Sequence, residues 1–336
     1  MKNKQNQNPL EFLDEVEMFA KENVANINYQ DVNIEEILDN EIISESNDTI
    51  SLFYNTPEKE AVLVISGRKP KIYTEIMQPE HYLEICESLN IEENNDYNNS
   101  QSFIRGGVKV RVFAMTRPVS EYPNITISTS KTSPATWDQI EIVDLLKEIT
   151  KNNYIVVGAS GAGKTYLMNY LLKEQHKDSE AKIGLIEEFS ELFPPNKSTT
   201  CLTVPPNKPG KERLLHYITE MSNLMRFDYI YIGEIKGIEA WPFLLNLSSG
   251  TKGAATLHGS SADFGLKRLY NLCLMTGMPE KVILDMISKS IDYVIYVEKH
   301  EIKEIVKLTG VASNGVFQKT TIWTKFKGFE KDLGLL

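Results

Sequence analysis

The stretch YIVVGASGAGKTYLMNY, residues 154 to 170, gathers glycines, one lysine and one hydroxyl at a fixed spacing. Gly158, Ala159, Ser160, Gly161, Ala162, Gly163, Lys164 and Thr165 satisfy G-x-x-x-x-G-K-[ST] in full. Each residue type has a physical task. Glycines let the backbone curl until its N–H groups face one point, and they leave space for a phosphate to come close. A helix that starts just after them aims its positive dipole end at the same point. Lys164 would reach the β and γ phosphates of a nucleoside triphosphate, Thr165 would offer its hydroxyl to Mg2+, and Tyr166 is the next residue along the cradle. The loop therefore predicts ATP and Mg2+ as ligands. It does not say what the phosphate energy does.

Hydrolysis needs a carboxylate to orient the attacking water; two further boxes offer carboxylates and a third a histidine. YIYIGE ends in Glu234, where a buried parallel strand would deliver it to the ligand crevice at the carboxyl edge of a sheet. LIEEFSEL puts Glu187 and Glu188 at the end of another strand on that same edge. Adjacent strand residues point to opposite faces, so one of the two is expected to face the nucleotide, with Glu188 the favoured one. Either could hold the metal through a carboxylate oxygen. ATLHGSSA closes a further apolar segment with His258, followed by small hydroxyl residues.

These residues need elements to hold them. After Thr150, apolar strands alternate with amphipathic helices: YIVVG, a helix from about Gly163, KIGLIEE, the helical stretch RLLHYITEMSNLMRF, YIYIGE and GAATLH. Late strands follow in DYVIYVEK, EIVKLTGV and KTTIWTKF. Such alternation predicts a largely parallel sheet covered on both faces, an α/β domain over 151–336. Residues 47–130 read instead as a smaller α+β domain, with strands in TISLFYN, EAVLVISG, KVRVFAM and NITISTS and one helix in PEHYLEICESLNI. Residues 131–150 are expected to link the two. The first 46 residues carry one amphipathic helix, with Phe12, Val16 and Phe19 on one side.

At 336 residues with a net charge of −10, the chain has length for two cores and lacks the basic balance of a duplex-DNA binder. Its three cysteines form no CxxC pair, which excludes a zinc knuckle. No apolar run approaches the roughly 20 residues of a membrane span, and the start does not read as a signal peptide. Cytoplasm is the expected address. A RecA-like nucleic-acid translocase, a small-molecule kinase and an ATP-binding scaffold are the rival readings. The acidic balance, the lack of an identifiable acceptor pocket, and the presence of both Lys164 and Glu234 argue against them in turn.

Taken in order, GASGAGKT, IEEFSE, FDYIYIGEIKGIEA and ATLHGSSA resemble the secretion-ATPase superfamily, the motors of type II and type IV secretion, conjugation and type IV pili. RGGVKVRVFAMTRPVS followed by NITIS resembles the hairpin of that family's N-terminal domain. The resemblance implies a RecA-like P-loop ATPase domain and a ring hexamer. It also implies a place at the inner face of the cell membrane, with inner-membrane secretion or pilus platform proteins as partners and an unidentified protein or protein–DNA cargo. It implies catalytic roles for Lys164, Glu188, Glu234 and His258, with Arg111 reaching the terminal phosphate from the N-terminal domain. Glu239 matches an acidic position after the catalytic glutamate, and Glu191 lies within the acidic box. Two departures stand out: Ser128 replaces a frequent arginine, and Lys236 stands where an arginine is usual and cannot reproduce its bidentate fork. The compact chain without paired cysteines leans toward the traffic ATPases of type IV secretion and conjugation, with a pilus motor as the alternative.

Overall fold

In the computed structural model, the described residues are 47–55, 60–67, 71–77, 99–105, 108–115 and 124–131, then 137, 139–203, 214–325 and 328–329. The expected N-terminal amphipathic helix, the helix in PEHYLEICESLNI and one of the three cysteines, Cys86, lie outside them. The chain divides into two compact units, Met1–Thr132 and Ser133–Leu336.

Among the described residues, the first unit has six strands: β1 (Asn47–Asn55), β2 (Glu60–Gly67), β3 (Lys71–Met77), β4 (Asn99–Arg105), β5 (Val108–Met115) and β6 (Asn124–Lys131). They form one sheet in the order β3-β2-β1-β6-β5-β4, antiparallel throughout. Alternation sets its faces. Val108, Val110, Val112 and Ala114 of β5 are buried with Ile125 and Ile127 of β6, while Arg111 and Phe113 lie between them, part-exposed. A strand that alternates this way has one apolar face and one wet face.

Among the described residues, the second unit has nine strands: β7 (Tyr154–Gly158), β8 (Ile183–Glu187), β9 (Thr199–Thr203), β10 (Tyr229–Ile232), β11 (Lys252–His258), β12 (Tyr293–Glu298), β13 (Glu301–Val311), β14 (Phe317–Thr324) and β15 (Gly328–Phe329). Their order is β15-β14-β13-β12-β7-β11-β10-β8-β9. Strands β12 to β9 in that order are parallel, and β13, β14 and β15 add on antiparallel. This is the mixed α/β architecture that the alternating pattern requires.

Strand β7 explains why the sheet is two-sided. Tyr154 and Val156 enter one apolar core, and Ile155 and Val157 enter the other. On the first face pack α1 (Val143–Thr150), through Leu146 and Ile149, and α2 (Lys164–His176), through Leu167, Met168, Leu171 and Leu172. On the second pack α3 (residues 214–225), α4 (Ala240–Ser248), α5 (Ala262–Leu274) and α6 (Glu280–Ser290). Helix α3 is wound as a π turn at Tyr217–Met221.

The expected linker is shorter than 131–150. Ile142, Leu146 and Ile149 are fully buried in the second unit's core, and Trp137 is nearly so. These apolar side chains anchor the segment there, so the boundary falls at Thr132–Ser133.

Candidate active site

The ends of β7, β8, β10 and β11 meet at one edge of the parallel sheet, and the loop after each strand delivers a functional residue there. Between β7 and α2, the backbone turns through left-handed geometry at Gly161 (φ 69°) and Gly163 (φ 95°), a region that side chains disfavour. Gly158 and Gly163 also lack room for a methyl group, which would stand 2.5 Å from the Val297 carbonyl and 2.9 Å from the His300 ring respectively. Ala159, Ser160 and Gly161 are exposed at the crest of the loop, while Ala162 and Lys164 are buried beneath it.

Lys164 Nζ donates to the Ala159 carbonyl at 2.8 Å and lies 3.2 Å from His258 Nδ1. An ammonium can only donate, so Nδ1 accepts and the imidazole proton sits on Nε2. That Nε2 is 2.7 Å from Glu234 Oε1. Burial, then the adjacent ammonium, hold the His258 pKa below its ordinary value, with Glu234 opposing, so the ring is neutral at pH 7. Burial likewise lowers the pKa of Lys164 against the pull of Glu234 and Glu191. A lysine, a neutral histidine and a carboxylate thus stand in line across three adjacent strands.

The Glu234–His258 approach is close but not aligned as a hydrogen bond. Glu234 Oε1 is buried and has no donor in line among the described residues. A buried carboxylate oxygen left this way costs free energy unless something else meets it. Its fellow Oε2 lies 3.3 Å from Lys236 Nζ, which also bonds Glu188 Oε2 at 2.9 Å. Burial works against the Lys236 charge, but its bond to Glu188 and the charge of Glu234 hold its pKa above the usual value. Lys236 therefore ties Glu188 to Glu234, a link the sequence reading did not foresee.

Glu187, for which a metal role is expected, lies buried at the end of β8. It is 3% exposed and accepts from the backbone N–H of Glu191 (3.1 Å) and Leu192 (3.0 Å). It shapes the loop that carries Glu191, whose Oε2 accepts from the Thr165 hydroxyl at 3.2 Å. Glu239 acts similarly, holding the N–H groups of Lys236 and Gly237 at 2.6 and 2.8 Å. Arg111 belongs to the first unit, on β5, level with Ser102 of β4 and Ser128 of β6. Tyr166 projects from the first turn of α2 and is 44% exposed.

No group of three His, Cys, Asp or Glu among the described residues could cage a metal ion. Magnesium does not need one. It favours one or two protein oxygens completed by water and phosphate, and the Thr165 hydroxyl beside Glu191 fits that donor set.

The family model for type II/IV secretion system proteins matches residues 117–306, more than half the chain and every box described here. The chain belongs to this family. Among its curated relatives is VirB11 of Rhizobium radiobacter, 26% identical over 167 residues covering 47% of this chain and 48% of that protein. The type IV secretion system protein PtlH of Bordetella pertussis is 29% identical over 153 residues, covering 43% of this chain and 44% of PtlH. The chain spans about half the length of these relatives. Among solved structures, the pilus retraction motor PilT with bound ADP shares the fold at a TM-score of 0.57 and 16% identity, over 87% of this chain and 83% of that one.

Proposed function

We propose that this chain is an ATP-hydrolysing motor subunit of a type IV secretion or conjugation apparatus, with a RecA-like second unit. The observation that carries the reading is the line from Lys164 through neutral His258 to Glu234 at the edge of the parallel sheet. The family match and the names of its VirB11 and PtlH relatives support the secretion role.

The chain's own residues supply most of the chemistry. Loop N–H groups and the α2 terminus bind the phosphates. Lys164 exchanges its bond to the Ala159 carbonyl for the β and γ phosphate oxygens. Glu234, with Oε1 unmet by any aligned donor among the described residues, orients the water that attacks the γ phosphate. His258 touches both and reports to Glu234 whether Lys164 has left for a phosphate. Thr165 and the Glu191 and Glu188 side chains would hold Mg2+, which neutralises charge on the β and γ oxygens when bound. Arg111 is proposed to supply a further positive charge to the terminal phosphate.

The motor is proposed to work as a homohexamer on the cytoplasmic side of a membrane, against an inner-membrane platform. No helix among the described residues is long and apolar enough to cross a bilayer. A cation supplied to the transition state by a neighbour raises rates about 10³–10⁵-fold in related enzymes. Phosphate release per subunit should therefore rise with concentration as rings assemble. A profile that stays flat down to clear monomer would remove the ring from the mechanism.

A further inference from the structure

We propose that Tyr166 and His300 form the shelf on which a nucleotide base stacks, and that this shelf favours purines by ring size. The inference rests on the phosphate-loop reading above and extends it to the other end of the nucleotide. Strand β7 lies between β11 and β12. On the β11 side stand His258 and, one strand further, Glu234, which mark the γ-phosphate end. The nucleoside must leave toward the opposite flank. There the turn joining β12 to β13 folds back on the loop, with the His300 N–H donating to the Ala162 carbonyl at 2.9 Å.

What that flank presents is aromatic. The rings of Tyr166 and His300 meet edge to face with centroids 6.4 Å apart, and both are exposed. Behind Tyr166, buried Trp137 sits at 6.1 Å and fixes where the ring can go. Trp137 is itself pinned through its indole N–H to Gln139, whose amide bonds both the N–H and the carbonyl of Ile302. Lys299 and His300 both have positive φ, 52° and 59°, as a two-residue hairpin turn demands. Asn-Gly is the unstrained choice there, so a histidine ring is kept at a conformational cost. Gln139 spends its amide on the protein, and what Tyr166 and His300 present is ring face. Stacking is tolerant of base identity but grows with overlapped area. The shelf thus accepts adenine and guanine alike and holds a single-ring base less well.

The test is competitive binding of ATP, GTP, CTP and inorganic tripolyphosphate to the full chain and three variants. In the unsubstituted chain, ATP and GTP should bind alike and CTP more weakly. Tyr166→Ala should weaken ATP about 5- to 150-fold, the range one base–aromatic stack confers, and leave tripolyphosphate unchanged. Tyr166→Phe should keep ATP affinity, because the ring face is retained. His300→Asn, which tolerates positive φ, should also weaken ATP alone. Equal weakening of ATP and tripolyphosphate, or no weakening of ATP, overturns the shelf. An unsubstituted chain that binds neither ATP nor tripolyphosphate overturns the phosphate-loop reading, and the shelf with it.

Discussion

Helix α2 carries Lys164 at its start and His176 at its end, and His176 decides how firmly the helix is tied to the strand that delivers Glu234. His176 Nε2 is 2.8 Å from the hydroxyl of Tyr231 on β10, and that hydroxyl donates to Gln175 at 2.9 Å. The imidazole is 2% exposed. Burial lowers its pKa from 6.5 to about 4. Between those values the unfolded chain binds more protons than the folded one, so stability rises with pH across the window. The contribution is complete above the unfolded pKa and is lost as pH falls toward the folded one. From about pH 7.5 to about pH 5, linkage with these two pKa values removes about 2 kcal/mol. The perturbation is His176→Gln, which keeps a hydrogen-bonding group without titrating in this range. All three tryptophans, Trp137, Trp241 and Trp323, lie in the second unit, so tryptophan fluorescence during urea unfolding reports on that unit alone. The unsubstituted chain should lose about 2 kcal/mol more than the variant over the same pH interval. Equal losses would refute the claim that a neutral, desolvated His176 ties α2 to β10.

Gly233→Ala should destabilise the second unit by about 1–3 kcal/mol in the same unfolding assay, because its Cβ would stand 2.9 Å from Glu187 Cγ and Oε1. Displaced, Glu187 would loosen the N–H groups of Glu191 and Leu192, so turnover should fall as well. The acid limb of the turnover–pH profile should lie below pH 6.5, since protonating His258 Nδ1 removes the acceptor facing Lys164 and adds a like charge. A limb at or above that value would assign it to another group.

The parts of this architecture written in short-range pattern were legible from the residues. The glycine-lysine-hydroxyl spacing located the loop, and the buried runs YIVVG, IGLIE and YIYI located three central strands. Edge strands were harder. β3 (KIYTEIM), β4 (NSQSFIR) and β9 (TTCLT) stand at sheet margins, where little burial is demanded and polar residues interrupt alternation. Helix α4 (AWPFLLNLS) is buried almost all round, so it shows no amphipathic period, and Pro242 in its first turn reads as a breaker although that position tolerates it. Side-chain allegiance was the least legible. Glu187 and Glu188 are adjacent carboxylates, and only the fold sends one inward to backbone N–H groups and the other out to Lys236. His300 carried a usable signal: it lies in a two-residue turn after a strand that runs parallel to β7. That placement puts the turn at the ligand edge of the sheet.

Whether Glu234 acts on water at a phosphate held by Lys164 is decided by one pair of measurements on Glu234→Gln. Bound ATP and released phosphate are followed in the same sample. ATP affinity should be unchanged and phosphate release slowed about 10²–10⁴-fold. Undiminished release from the variant would contradict that role for Glu234.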